Sequence, residues 1–259
     1  MDFELSDEQR LLRDTIRSFV DAEIRPVARE LEASGRYPEE IVSTMRRMGL
    51  FGLLVPEEYG GMAADMVSLA VVFEEIARGW MGIAGIIGSH SLSCWMIARY
   101  GTEEQKNAYL PSLATGERRT GIALTEPGAG SDLQGIAATA RRDGDTYVLN
   151  GRKTWITNAR HADPLPVLVK TDPGASPAHA GMSVLLVDPA TAGFEVVRDL
   201  PKLGYRGPET CEIVFDDVAV PTGNLLGGRE GRGLQQVLAA LEKGRINIAA
   251  RAVGVAQEA

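Results

Sequence analysis

The chain has 259 residues, 44% hydrophobic and 24% charged, enough apolar material to bury one large core or two smaller ones. A formal net charge of −8 argues against a broad nucleic-acid surface, although a local basic patch can still meet a phosphate-bearing small molecule. Cys94 and Cys211 stand far apart and form no CxxC pair, which argues against a disulfide framework or zinc site and for two buried thiols in a reducing compartment.

The stretch from Asp2 to Ser6 has neither the basic region and apolar run of a secretory signal nor an arginine-rich transit pattern. Ser6 and Gln9 have capping-box spacing, and Leu12, Ile16, Phe19, Val20 and Ile24 follow at helical intervals up to Pro26. A second helix is predicted from Pro38, with Ile41, Met45 and Met48 on one face and Gly49 as its stop. Leu50 to Val55 forms an apolar run closed by the loop Pro56 to Gly61. Leu69, Val72, Phe73 and Ile76 carry a third helix. Its neighbour, Gly82 to Tyr100, is rich in small residues, which fits either a central core helix, the commoner case, or one where Gly85, Gly88 and Ser89 leave room for a ligand's apolar tail. Glu74, Glu75, Ser89 and His90 interrupt these apolar stretches before the roughly 20 residues a membrane span needs. Thr102 and Gln105 start a further helix that gives out near Pro111 and Gly116.

From Thr120 the period changes. Short alternating runs are predicted as strands at 121–125, 137–142, 146–150, 153–157, 166–170, 183–188, 194–198 and 211–215, with Asp143-Gly144 and Asn150-Gly151 as hairpin turns. Strands at this spacing without intervening helices indicate an antiparallel barrel or sandwich. After the loop at 227–233, helical spacing returns at Leu234, Val237, Leu238, Leu241, Arg245, Ile248, Ala249, Ala252 and Val253, and runs to Ala259 without a stop signal. The fold expected is α+β: an N-terminal α-helical domain (1–118), a middle antiparallel β-barrel domain (119–226), and the first helix of an incomplete C-terminal helical bundle (227–259). The unfinished pattern predicts a fragment of a longer protein, or a chain lacking a domain.

Two stretches look like chemistry rather than packing. In Leu124-Thr125-Glu126-Pro127-Gly128-Ala129-Gly130-Ser131-Asp132, Pro127 removes a donor, and Gly128 and Gly130 permit left-handed backbone that turns amides toward an outside group. Lys153-Thr154-Trp155-Ile156-Thr157-Asn158 sets an aromatic ring among hydroxyls. Read alone, the first is an ordinary tight turn and Trp155 an ordinary hairpin aromatic. Gly128-Ala129-Gly130 does not complete GxGxxG, because Leu133 holds the last position, and no P-loop lysine follows. His90, His161 and His179 lack metal-ligand spacing. Glu242 and Arg245 stand three apart on one helix, which also fits a structural ion pair.

The order of these stretches resembles the acyl-CoA dehydrogenase family of flavoproteins. Helices precede TEPGAGSD, KTWITN follows, then Lys202-Leu203-Gly204-Tyr205-Arg206 and Phe215 to Pro221, and finally a helix bearing Glu242 and Arg245; Val55 to Gly61 fits as well. The resemblance implies FAD as cofactor and dehydrogenation of an acyl-CoA thioester at its α and β carbons to a trans-2-enoyl-CoA. Leu124 and Thr125 would meet the pyrimidine end of the flavin, Ser131 the pyrophosphate and the substrate's pantetheine arm, Trp155 the isoalloxazine, and Thr157 the N5 region. Glu242 and Arg245 would contact the pantetheine region of CoA. Where many members carry an aromatic residue three positions before Thr125, this chain has Ile122. The catalytic base, a glutamate, lies in most members in the C-terminal domain, expected here beyond Ala259. In the isovaleryl and long-chain types it stands just before the arginine, where this chain has Gly244. Electron-transfer flavoprotein as electron acceptor, a homodimer or homotetramer, and a cytoplasmic or mitochondrial-matrix location are also implied. A non-catalytic partner subunit or binding module, and a flavin monooxygenase or other oxidase, remain open on the same fold.

Overall fold

In the computed structural model, which describes residues 4–259, the helices begin where the caps predict and end elsewhere. Ser6 caps α1 (Asp7–Phe19): its hydroxyl accepts from the Gln9 amide, and the Gln9 side chain accepts from the Ser6 amide. Pro26 does not end this helix. A π-helical turn, Val20–Ile24, passes it on to α2 (Arg25–Ser34), whose first turn holds Pro26, where the missing N–H is tolerated. Gly35, at φ 68°, ends α2. Then comes α3 (Glu39–Arg47), closed by Met48 and left-handed Gly49.

The two helices expected at 69–76 and 82–100 are one, α4 (Met66–Tyr100), bent at Trp80 (φ −162°, ψ 107°). The bend is held from outside. The Trp80 indole donates to Glu32 (2.8 Å), and the same carboxylate accepts from the backbone N–H of Arg206 (3.0 Å). By length and composition α4 is able to cross a membrane, contrary to the reading that its apolar stretches are too short, yet 78% of its most apolar stretch is buried within the protein. Capped by Thr102 and Gln105, α5 (Glu103–Ala114) carries Pro111 inside it and runs on toward Gly116 (φ 69°).

Six strands follow: β1 (Thr139–Asp143), β2 (Thr146–Thr157), β3 (Leu165–Lys170), β4 (Met182–Val187), β5 (Phe194–Asp199) and β6 (Thr210–Pro221), in the order β4-β3-β1-β2-β6-β5. All pairings are antiparallel except β1 with β3. The sheet wraps its own core, into which Tyr147, Leu149, Val167, Leu185, Ile213 and Val218 project. The expected strand at 121–125 forms no strand, but Ala123 bridges Val167 in parallel. Gly144 makes the expected β1–β2 turn at φ 58°. Asn150-Gly151 is not a turn. It lies inside β2 as a bulge, with the register against β6 slipping between Leu149 and Gly151, and a Cβ at Gly151 would come within 2.6 Å of the Ala138 Cβ.

The last helix, α6 (Gly233–Glu258), packs along α4 through a face that overlaps the expected one at Val237 and otherwise departs from it. Gly233, Val237, Ala240, Gly244, Asn247, Arg251 and Gly254 are buried, whereas Leu238, Ile248 and Val253 face outward. Small residues decide this. A Cβ at Gly254 would fall 2.1 Å from the Glu74 carbonyl oxygen, so the helix axes can approach only where side chains are short.

Candidate functional site

The two motifs are fastened to each other from behind. Glu126 and Ala129 exchange backbone hydrogen bonds (2.8 and 3.1 Å) around the Pro127-Gly128 tip. The Glu126 carboxylate accepts from the amides of Ala137 (2.6 Å) and Ala138 (3.0 Å), and from the Lys153 ammonium (2.8 Å). Lys153 also donates to the Leu124 carbonyl (2.9 Å), and the Thr154 amide to that of Thr125 (2.8 Å). Lys153 is wholly buried. Desolvation pulls its ammonium down to about 8, against the opposing attraction of Glu126. The sequence reading missed this pair; its signal is a lysine at an inward position of a strand, matched by a glutamate next to a proline.

On the other side of this brace, β2 turns a ring outward. Trp155 is 58% exposed and sits at φ 62°, where the pairing with β6 slips a second time, between Lys153 and Ile156. A left-handed tryptophan is a local strain of roughly 1–3 kcal/mol, of a kind that collects at functional positions. Thr125 and Thr157 are half-buried, Ser131 is exposed, and among the described residues none of the three hydroxyls has a protein partner. Gly128 and Gly130 do not take left-handed backbone, contrary to expectation. They keep the loop open instead: a Cβ at Gly128 would meet nothing within 4 Å, and one at Gly130 only the Thr125 methyl at 3.7 Å. A flat exposed ring beside free hydroxyls and an open glycine loop fits a planar cofactor with a polar tail. Leu124 is buried, and its carbonyl is met by Lys153.

Asn158, at φ 63°, ties this wall to α4. Its amide donates to the carbonyls of Ile86 (2.8 Å) and Thr120 (3.1 Å) and to the Ser89 hydroxyl (3.2 Å). A cavity of about 630 Å³ opens beside it. Gly85, Gly88, Ser89 and Leu92 of α4 line it, with Ile122, Thr157, Tyr205 and a strip of α6 from Leu241 to Ala252. Thr157 therefore belongs to both the strand of Trp155 and the cavity. Arg245 lines the cavity; Glu242 does not, and the two, both exposed, form no ion pair. Gly244 is on the wall, where a Cβ would lie 3.0 Å from a Leu92 methyl. No aspartate or glutamate lines the cavity among the described residues. The lining also contains Arg251 and Asn247, which the sequence reading passed over. A wider groove of about 810 Å³ between α2 and α3 touches none of these residues.

Family models described as "Acyl-CoA dehydrogenase, N-terminal domain" and "Acyl-CoA dehydrogenase, middle domain" match residues 6–117 and 121–218. The chain is 38% identical over 262 residues to the short-chain-specific acyl-CoA dehydrogenase of Clostridium acetobutylicum, covering 100% of this chain and 68% of that protein. It is 38% identical over 261 residues to the acryloyl-CoA reductase (NADH) of Anaerotignum propionicum, covering 100% of this chain and 66% of the relative. A solved glutaryl-coenzyme A dehydrogenase in complex with glutaryl-CoA matches at TM-score 0.94 and 38% identity, over 100% of this chain and 66% of that one. The chain thus spans about two thirds of the length of these relatives.

Proposed function

This chain belongs to the acyl-CoA dehydrogenase family of oxidoreductases, and from that membership we propose that it carries the flavin wall and acyl cavity of an FAD-dependent enzyme that dehydrogenates an acyl-CoA thioester to a trans-2-enoyl-CoA. The observation that carries this reading is Thr157, a free hydroxyl on the strand of the outward-facing Trp155 and, at once, part of the cavity wall between α4 and α6.

Bound FAD supplies the acceptor for the hydride leaving the β carbon. Trp155 offers it a flat apolar face, Thr125 and Thr157 offer hydroxyls, the buried Leu124 its backbone, and Ser131 a hydroxyl at the open loop for a phosphate oxygen. Arg245 takes the pantetheine region of CoA, with Glu242, exposed and outside the cavity lining, beside it on the same helix. The small residues Gly85, Gly88 and Ser89 leave the acyl chain its volume. Removing the α proton requires a carboxylate held in apolar surroundings, and none lines this cavity, so the reading places the base outside the described residues. Electron-transfer flavoprotein as acceptor, assembly as a homo-oligomer, and a cytoplasmic or matrix setting go with the reading. The absent carboxylate also favours a second reading, in which the chain binds flavin and acyl-CoA without turning over.

Position 244 tests both. The protein is loaded with FAD and titrated with an acyl-CoA without dioxygen. The dehydrogenase reading expects the unsubstituted protein to bleach; binding without bleaching, restored by Gly244→Glu, which sets a carboxylate in the wall, supports the second reading instead. Failure of the protein to retain FAD at all would sink the cofactor assignment.

A further inference from the structure

We propose that Arg251 forms a second polar subsite in the acyl cavity, one that receives a carboxylate carried at the end of the acyl chain remote from the thioester. The cavity's occupancy by an acyl-CoA rests on the reading above; the carboxylate is inferred from what surrounds Arg251.

The residue is 7% exposed and lines the cavity. One guanidinium nitrogen donates to the Ala84 carbonyl (2.8 Å), another reaches the Tyr205 hydroxyl only at 3.5 Å, and Nε is buried without a partner. The group lies 5.5 Å from the centre of the Phe73 ring. Among the described residues no carboxylate pairs with it, and burial holds its pKa below the ordinary arginine range. A purely structural role accounts for the carbonyl contact and the ring face, but it leaves a full positive charge in low dielectric without an anion. Such a charge is strongly unfavourable, and arginine cannot escape it by losing a proton.

The backbone around it is cut to fit. A Cβ on Gly88 would lie 2.0 Å from an Arg251 nitrogen and 2.7 Å from the Asn247 amide nitrogen, while one on Gly85 would lie 1.4 Å from the Tyr205 hydroxyl. Two glycines three residues apart on α4 thus make room for three polar groups. Tyr205 is held at φ 61°, the left-handed region a bulky residue avoids, and Asn247, one turn before Arg251, keeps its carbonyl oxygen buried and unpaired. Arg251 follows Gly244 by seven residues, two turns or about 10 Å along α6. Gly244 and Thr157 mark one region of the cavity, and Arg251 stands two turns away. A planar guanidinium suits a carboxylate, whose two oxygens can be met at once, and not a methyl or a hydroxyl.

The test compares two CoA thioesters of equal chain length, one ending in a methyl and one in a carboxylate, bound to the FAD-loaded protein and followed by calorimetry. The carboxylate-ended thioester is expected to bind more than about tenfold tighter, since the methyl would leave the buried donors unpaired. Arg251→Met should abolish or reverse that preference, and Arg251→Lys should retain part of it, with circular dichroism confirming that both variants fold. Equal affinities in the unsubstituted protein, or a ratio that Arg251→Met leaves unchanged, overturns the carboxylate subsite while acyl-CoA binding itself stands. Binding of neither thioester overturns both readings.

Discussion

Lys153 and Arg251 are both buried cations, but the first is met by Glu126 at 2.8 Å and a carbonyl at 2.9 Å, while the second has a carbonyl, a 3.5 Å hydroxyl contact and a ring. Lysine has a further release, since desolvation already draws its pKa to about 8. Arginine has none. A cation whose counter-charge lies within the same fold fixes structure, here the bond between the Leu124–Asp132 loop and the strand that carries Trp155. One buried without a counter-charge leaves an interaction for something that arrives later.

That contrast can be broken most directly at Lys153. Lys153→Met strands the Glu126 carboxylate on two backbone amides and is expected to destabilise the fold by about 3 kcal/mol in urea unfolding, with weaker FAD retention as the loop loses its brace. A cost under about 1 kcal/mol would mean the pair is not structural. The same lysine has a pH signature. Its folded pKa of about 8 lies below the ordinary 10.5, so between those values the unfolded chain holds more protons and stability rises with pH. Thermal melts should show that rise in the unsubstituted protein and not in Lys153→Met. Gly88→Ala pushes a methyl into the Arg251 guanidinium and should cost about 1–2 kcal/mol, measured as a lower unfolding midpoint. Arg251→Met itself should change stability least, by under about 1 kcal/mol and even upward, because it removes an unpaired buried charge and keeps the volume. A loss comparable to that of Lys153→Met would show that Arg251 is a second structural cation, and the contrast would collapse.

Much of the fold could be read from local signals. Ser6 with Gln9 and Thr102 with Gln105 specify their helix starts through neighbours three residues away, and Asp143-Gly144 specifies its turn in the same way. What escaped depends on partners distant in the chain. Asn150-Gly151 has the residues of a turn, but Ala138 presses against Gly151 and β6 pairs on both sides, which makes it a bulge in one long strand. The bend at Trp80 is set by Glu32, forty-eight residues earlier. The buried face of α6 follows closeness to α4 more than hydrophobicity, so Gly244, Asn247, Arg251 and Gly254 are inside while Ile248 and Val253 are exposed. At the site, the motifs themselves stood out, because Trp155 and the glycine loop are unusual in composition. Lys153 and Glu126 were legible only as members of those stretches and Arg251 not at all, since the burial of each depends on residues distant in the chain.

Trp155 has a practical consequence. Of the three tryptophans, Trp80 and Trp95 pack against the helical core, and Trp155 alone is largely exposed. The emission of the protein is therefore a sum of two shielded indoles and one wet, red-shifted one placed on the proposed flavin wall. An external quencher such as iodide should reach that one first, and a ligand stacked on it should take it away from the quencher, so occupancy of the wall can be followed optically without any substitution.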